Sequence, residues 1–246
     1  MSSQSQPILS PMLRKLQLWT PLNAEEQEAV LALPHTVNGP AAGAYIVREG
    51  EQAQSTSLLL SGFALRQKLT GDGARSINAI HMKGDIVDLQ NSLLGVADDS
   101  VQALARAEIA VIPREAVLEL ALRMPKVGRA MWRDTLVDAS IFKEWILNVA
   151  RRDAKTRIAH VLCEFGLRLE ALGLGDRLSY RFPLTQEQLG DVTGLTSVHV
   201  NRSLMALEAE GLLTRTQRYV AVPDWPKLKQ AGDFDEAYLH LPVSQR

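Results

Sequence analysis

The sequence predicts an α+β protein in two parts. An antiparallel β-roll of the jelly-roll kind runs into one long helix, and a C-terminal winged helix-turn-helix domain follows. Three stretches carry that expectation. Between Val37 and Pro113, short β-prone runs alternate with glycines, the pattern of many strands joined by tight turns. From about Lys126 to Arg151, apolar residues recur at helical spacing. From Leu184 to Leu213 the pattern is helix, tight turn, helix, and two more β-prone runs follow it.

The first residues, through about Pro11, are polar and expected to be loose. They carry no basic n-region and no apolar h-region, so no signal peptide is expected. Pro11 to Leu33 reads as one or two short helices, with Leu13, Leu16 and Leu18 apolar. Asn23 is placed to cap a helix whose first turn holds Glu25 and Glu26, where the helix dipole favours carboxylates. The candidate strands of the roll are AYIV, SLLL, FALRQKL, RSINAIHM, DIVDL, SVQAL and EIAVI. Thr70-Gly71-Asp72-Gly73 is a candidate hairpin turn. Pro113 stands at the first turn of a helix, REAVLELALRM, where its missing N–H costs nothing. Met124-Pro125 ends that helix.

The long helix carries Met131, Trp132, Leu136, Val137, Ile141, Phe142, Trp145, Ile146 and Val149. One supporting face needs less apolar surface than that. The surplus predicts packing on the roll along one side and on a second copy along the other, although Asp134 and Asp138 interrupt any clean heptad. Arg151-Arg152-Asp153 reads as a hinge. Asp153 caps a helix ending at Gly173, with Ile158, Val161, Leu162, Phe165 and Leu169 as its stripe. The expected limits are 12–124 for the roll with its flanking helices, 125–151 for the dimerisation helix and 152–246 for the helix-turn-helix domain.

In that last domain, Thr185 and Gln188 have the spacing of a capping box. Leu189 and Val192 give the first helix its packing residues, and Gly194 suits a left-handed turn. Thr196 or Ser197 caps the second helix. Val200, Leu204 and Leu207 fall on one face of it, and Val198, Asn201, Arg202 and Met205 on another. The second face suits a major groove. A guanidinium matches the two acceptors of guanine, an amide pairs with adenine, and an aliphatic group meets a thymine methyl. The two runs after Gly211 read as a hairpin wing turning at Gln217 and Arg218, with Arg215 and Arg218 placed for phosphates. Trp225 to Arg246 reads as a short helix and tail.

Composition narrows the classes. With 246 residues, 46% of them hydrophobic and 22% charged, the chain has material for two cores. A net charge of -1 gives DNA binding no independent support. The one cysteine, Cys163, excludes an intrachain disulfide and an all-cysteine metal or iron–sulfur site. Within an apolar stripe it reads as an inert core thiol. His35, His81, His160, His199 and His240 are not paired at ligand spacing, so no metal site is expected. No nucleophile–base–acid set, phosphate-cradling glycine loop or carboxylate pair stands out, so no catalytic residues and no enzyme are expected. No apolar run reaches the length of a membrane span, and a soluble cytoplasmic protein is the simplest reading.

The order of roll, long helix, helix-turn-helix and wing resembles the Crp/Fnr family of bacterial transcription regulators, over roughly Leu13 to Leu241. Gly43-AYIVRE-Gly50, the glycine at Gly62 and Gly84-Asp85 are similar to the family's effector-binding roll. GDIVDLQNSLLGVADDSVQALARAEIAVIP resembles its oxygen-sensing Fnr branch. LTQEQLGDVTGLTSVHVNRSLMALEAEGLL fits its DNA motif closely and is the most specific match. The resemblance implies a cyclic nucleotide-binding-like sensor domain and a homodimer joined by the long helix. It implies double-stranded DNA with a palindromic site as target, half-sites about one helical turn apart, and RNA polymerase as a partner. Base contacts would come from Ser197, Val198 and Arg202, with His199 and Asn201 beside them, and a phosphate contact from Thr196. Val198 stands where both founding regulators carry glutamate, so their target sequences do not transfer.

The cofactor is unknown. The family's cyclic-nucleotide site takes a glutamate and an arginine–serine pair after the Gly-Asp, and here Leu89, Ala97 and Asp98 stand at those positions. The Fnr-type cluster takes N-terminal cysteines, which Met1 to Gly43 lack. Neither cyclic AMP nor an iron–sulfur cluster is therefore expected. Two rival readings remain. A cytosolic hydrolase or transferase leaves the helix-turn-helix unexplained. A dimeric ligand-binding adaptor that no longer contacts DNA is opposed by Arg202, Arg215 and Arg218.

Overall fold

The computed structural model describes residues 6–242. The chain divides into two compact units, Met1–Lys68 with Ile80–Asp138, and Leu69–Ala79 with Ala139–Arg246.

In the first unit, Ser10–Gln17 (α1) and Ala24–Leu31 (α2) form the expected helices. Order begins earlier than the polar start suggested. Leu9, Met12 and Leu16 are fully buried, and α1 starts before Pro11 to seat them; Met1–Ser5 lie outside the described residues. Asn23 closes a capping box on α2, accepting from the Glu26 N–H at 2.9 Å while Glu26 accepts from the Asn23 N–H at 2.7 Å.

The strands are Thr36–Asn38 (β1), Tyr45–Val47 (β2), Ser55–Ser61 (β3), Ala64–Leu69 (β4), Arg75–His81 (β5), Ser100–Ala103 (β6) and Glu108–Pro113 (β7). They form sheets in the orders β1-β7-β3 and β2-β6-β4-β5. One candidate strand fails. DIVDL contributes only a bridge from Ile86 to Leu58 before the chain turns into a short helix, Asn91–Leu94 (α3). The buried Asp88 carboxylate accepts from the Thr56 hydroxyl at 2.5 Å and the Ser57 N–H at 2.7 Å. A side chain thus takes the β3 donor that a ladder would have used. Arg114–Arg123 (α4) leaves β7 directly, so Pro113 is the last strand residue and the N-cap rather than a first-turn residue. Pro125–Arg151 (α5) starts at its proline.

Along β4, Ala64 and Arg66 pair with Ala103 and Val101 of β6. Ala64, Ala103 and Val101 belong to one buried apolar cluster, so alternation turns the Arg66 guanidinium towards it. Arg66 Nη1 donates to Asp138 Oδ2 at 2.7 Å, and Nε lies 3.3 Å from Asp99 Oδ2. Lys15 donates to Asp85 at 2.6 Å and lies 3.7 Å from Asp134. Both α5 aspartates therefore tie the helix to cations of this unit, the buried Arg66 and the half-buried Lys15. That corrects their reading as interruptions of a heptad. Val127, Ala130, Val137, Ile141 and Trp145 are buried, whereas Trp132, Leu136, Phe142, Ile146 and Val149 are exposed. The helix is two-sided, as its apolar surplus suggested.

In the second unit, Ala154–Ala171 (α6) is capped by Asp153, which accepts from the Thr156 N–H at 3.0 Å. Then come Ser179–Arg181 (β8), Gln186–Thr193 (α7), Ser197–Ala209 (α8), Thr214–Thr216 (β9), Tyr219–Ala221 (β10) and Trp225–Ala231 (α9). The wing has three strands, β8-β10-β9. Its third strand, β8, is too short to announce itself by alternation. The C-terminal segment is more than a tail. A 3-10 turn, Glu236–Leu239, brings Tyr238 back to α6. Glu164, buried on α6, accepts from the Tyr238 hydroxyl and from Trp145 Nε1, both at 2.8 Å. His160 Nδ1 donates to the Gly232 carbonyl at 3.1 Å, and Nε2 lies 3.1 Å from the Tyr238 hydroxyl. Val243–Arg246 lie outside the described residues. Cys163 is fully buried, and burial pushes its thiol pKa up.

Burial, with Arg152 nearby, lowers the His160 pKa from 6.5 to about 4. Between those values the unfolded chain binds the extra proton and the folded chain does not. The stability this group contributes is therefore present above pH 6.5 and lost as pH falls towards about 4. Across that window the slope of denaturation midpoint against pH should be more positive in the wild type than in His160→Gln. Equal slopes in the two proteins would contradict the assignment.

Candidate nucleic-acid interface

Three local devices shape α7 and its turn into α8. Thr185 Oγ1 accepts from the Gln188 N–H at 3.2 Å and Gln188 Oε1 from the Thr185 N–H at 2.9 Å, so the capping box forms as expected. Gly194 ends α7 in the left-handed region at φ 67. The third device lies outside the sequence expectations. A Cβ on Gly190 would stand 2.4 Å from the Leu195 carbonyl oxygen, so the turn folds back onto α7 at a distance that only glycine allows. A glycine inside an amphipathic helix was the available signal, since it costs stability unless close packing needs it.

Thr196 caps α8. Its Oγ1 accepts from the His199 N–H at 3.4 Å and lies 3.0 Å from His199 Nδ1, which ties the imidazole to the start of the helix. Val200, Leu204 and Leu207 are buried. Thr196, Ser197, His199, Asn201 and Arg202 are exposed, as is Val198 at 66%. Six of the eight expected site residues therefore share the N-terminal half of one helix. Gln186 on α7 donates to Asn201 Oδ1 at 3.3 Å, an orienting contact that the sequence did not suggest.

The wing arginines are placed differently. Arg215 makes a two-point pair with Glu208 near the end of α8, Nε at 3.1 Å and Nη2 at 2.7 Å. Those bonds hold the Glu208 carboxyl below its ordinary pKa. Arg218 Nη1 donates to the Pro183 carbonyl at 3.2 Å. Both brace the wing. A guanidinium has five N–H donors, so neither is used up by its brace. Gln217, at φ 56, and Arg218 make the two-residue turn between Thr216 and Tyr219. Arg75, also in this unit, donates through Nε to Asp191 of α7 at 2.7 Å. Nothing local to either residue announces that pair. In the first unit, Leu89 and Ala97 are buried in apolar clusters and Asp98 is exposed. None of the three supplies a cation.

A family model described as a Crp-like helix-turn-helix domain matches residues 156–231, and one described as a cyclic nucleotide-binding domain matches residues 41–124. The transcriptional activator protein FnrL of Cereibacter sphaeroides is 27% identical over 207 residues, covering 82% of each chain. The fumarate and nitrate reduction regulatory protein of Escherichia coli K12 is 24% identical over 188 residues, covering 76% of this chain and 75% of the relative. Among solved structures, FixK2 from Bradyrhizobium japonicum shares the fold, with a TM-score of 0.74, 24% identity and coverage of 81% of this chain and 98% of that one.

Gly190→Ala should force the turn away from α7. The expected loss is about 1–3 kcal/mol of stability, the usual size of an overpacking defect, with loss of DNA binding at temperatures where the fold survives. Chemical denaturation and DNA titration check both. An unchanged midpoint would mean that the turn tolerates a Cβ.

Proposed function

The chain belongs to the Crp/Fnr family of transcription regulators, and on that premise we propose that it acts as a homodimer on a palindromic site, with α8 of each copy in a major groove. The observation that carries this reading is the division of α8. Its apolar line is buried, while Val198, Asn201, Arg202 and Met205 face outward. A helix kept only for packing has no reason to present a forked donor, an amide and an aliphatic group together near its N-terminal end.

The roles follow from chemistry. Arg202 donates to guanine O6 and N7, Asn201 pairs with adenine, and Val198 meets a thymine methyl. Ser197 and His199 flank them. Thr196 and the unused N–H groups of Arg215 and Arg218 contact phosphates and set the register. The exposed line of α5 joins the two copies. An unidentified signal acts through the roll, which grips α5 at Arg66–Asp138 and Lys15–Asp134. It alters DNA binding only to the extent that it favours one dimer geometry over another. RNA polymerase is the downstream partner and the cytoplasm the place of action. The chain works by binding and not as an enzyme. Among the described residues no helix is long and apolar enough to cross a membrane.

Selection from random duplex DNA with the purified full chain should return a palindrome whose half-site centres lie about 10 base pairs apart. Arg202→Ala should lose about 1–3 kcal/mol at one base pair of each half-site and relax the preference there. An asymmetric motif, or the same preference in the variant, would contradict the reading.

A further inference from the structure

The first unit holds a crevice of about 120 Å3 between β2, the 51–55 stretch, Ser57 of β3, Asp88, Asn91 at the start of α3, and Ala97. Backbone bonds stitch two of these walls together. The Gly50 N–H donates to the Ala97 carbonyl at 2.8 Å, the Ala97 N–H to the Glu51 carbonyl at 2.9 Å and the Ala53 N–H to the Gly95 carbonyl at 2.9 Å. The crevice is thus part of the hydrogen-bonded framework of the roll. Its lining carries two carboxylates, Glu51 and Asp88, and among the described residues no lysine, arginine or histidine. Asp88 is 4% exposed and Asn91 1%. Burial raises the Asp88 pKa to about 6, although the Thr56 and Ser57 bonds pull it the other way, and no neighbouring cation offsets its charge. Asn91 Oδ1 has no hydrogen-bond partner. A buried carboxylate without a counter-charge and a buried acceptor without a donor both cost stability. One guest that brings a positive charge and N–H donors would relieve both.

We infer that this crevice binds the ammonium group of a small primary amine, with Asp88 as its counter-charge and Asn91 Oδ1 as a second acceptor. A protonated primary amine has three N–H donors, and its bonds to a carboxylate are of the strong, charge-assisted kind. Size and donor set exclude the other cations and the larger guests. Pockets for drug-sized molecules start at about 300 Å3, so a nucleotide is too large. Calcium and magnesium take about six or more oxygen ligands, and among the described residues no group of three or more histidine, cysteine, aspartate or glutamate side chains could hold a metal. A quaternary ammonium has the charge but nothing to donate to Asn91. The crevice also has a place in the chain. Ala97 stands two residues before Asp99, which meets Arg66, and Arg66 in turn holds Asp138 of α5. A guest that draws Asp88 and Asn91 together therefore acts on the segment leading to the grip of the roll on α5. That consequence rests on the regulator reading above; the binding itself does not.

The test is an amide NMR titration of the full chain, without DNA, with methylammonium chloride. Potassium chloride and tetramethylammonium chloride at matched ionic strength are the controls. The amide signals of Ser57, Asp88, Asn91 and Ala97 should move saturably with methylammonium and not with either control. Asp88→Asn keeps an acceptor for Thr56 and Ser57 but loses the charge, and its signals should respond as they do to the control salts. Asn91→Leu removes an oxygen that has no partner, so this variant should keep the wild-type fold and serves where Asp88→Asn does not fold. Its half-saturation should need about tenfold more methylammonium, the loss expected for one hydrogen bond to a charged group. Equal movement with potassium or tetramethylammonium would overturn the inference, because charge alone would then account for it. So would movement confined to other parts of the chain, no movement at all, or an unchanged half-saturation in Asn91→Leu. With no DNA in the sample, none of these outcomes depends on whether the chain reads DNA. A change in DNA affinity at saturating methylammonium, absent in Asp88→Asn, would extend the site from binding to signalling.

Discussion

A guanidinium turned into an apolar core has to find carboxylates. Arg66 finds them in Asp99 and in Asp138 of α5. The guanidinium is buried although Asp138 is 37% exposed, and leaving a buried cation short of a partner costs more than losing an exposed surface pair, so this contact holds the rotation of α5 in a way that rim charges do not. Lys15 with Asp134 repeats the device one turn earlier. At about 100° per residue, Asp134 lies roughly 200° around the helix from Trp132. Anchoring the aspartates inward therefore turns the tryptophan and the line below it outward. The polar contact inside the roll and the apolar seam outside it are two consequences of one helix orientation.

The second unit is built on shorter-range rules. A capping box starts α7, a left-handed glycine ends it, and a second glycine lets the turn lie against it. A threonine cap starts α8. The outer face of α8 is then held from several sides. Thr196 steadies His199, Gln186 meets Asn201, and Arg215 ties the wing to Glu208. Such bracing means that little rotamer freedom is lost when the face meets a ligand, which is how preorganisation favours affinity. The network of Glu164, Tyr238, Trp145 and His160 does comparable work around α6, where Glu164 and His160 are buried.

Much of this was legible in the sequence, and the boundary of legibility is physical. Caps are local. Asn23, Asp153, Thr185 and Thr196 each bond within three residues; the first three caps are legible outright, and for α8 the sequence offers Thr196 or Ser197, of which Thr196 is the cap. The buried line of α8 follows from helical period alone. Failures came where a side chain's partner is distant. DIVDL has strand composition, but Asp88 takes the β3 donor from another part of the chain. Asp134 and Asp138 looked like breaks in a heptad because their cations, Lys15 and Arg66, lie far away in sequence. Arg215 looked free because its carboxylate belongs to another element. β8 is three residues long and depends on β10 to exist as a strand. The family resemblance was carried by the helix-turn-helix, where local pattern and fold coincide most closely.

The central claim is that two copies of α8 read guanine from the major groove, and methylation interference addresses it at atomic level. Guanine N7 methylated in a selected duplex lies on the edge that a guanidinium would contact. Methylation is expected to block binding at two guanines related by the dyad of the site, about one helical turn apart. Interference at neither position, at one alone, or only at adenine N3 in the minor groove would contradict it.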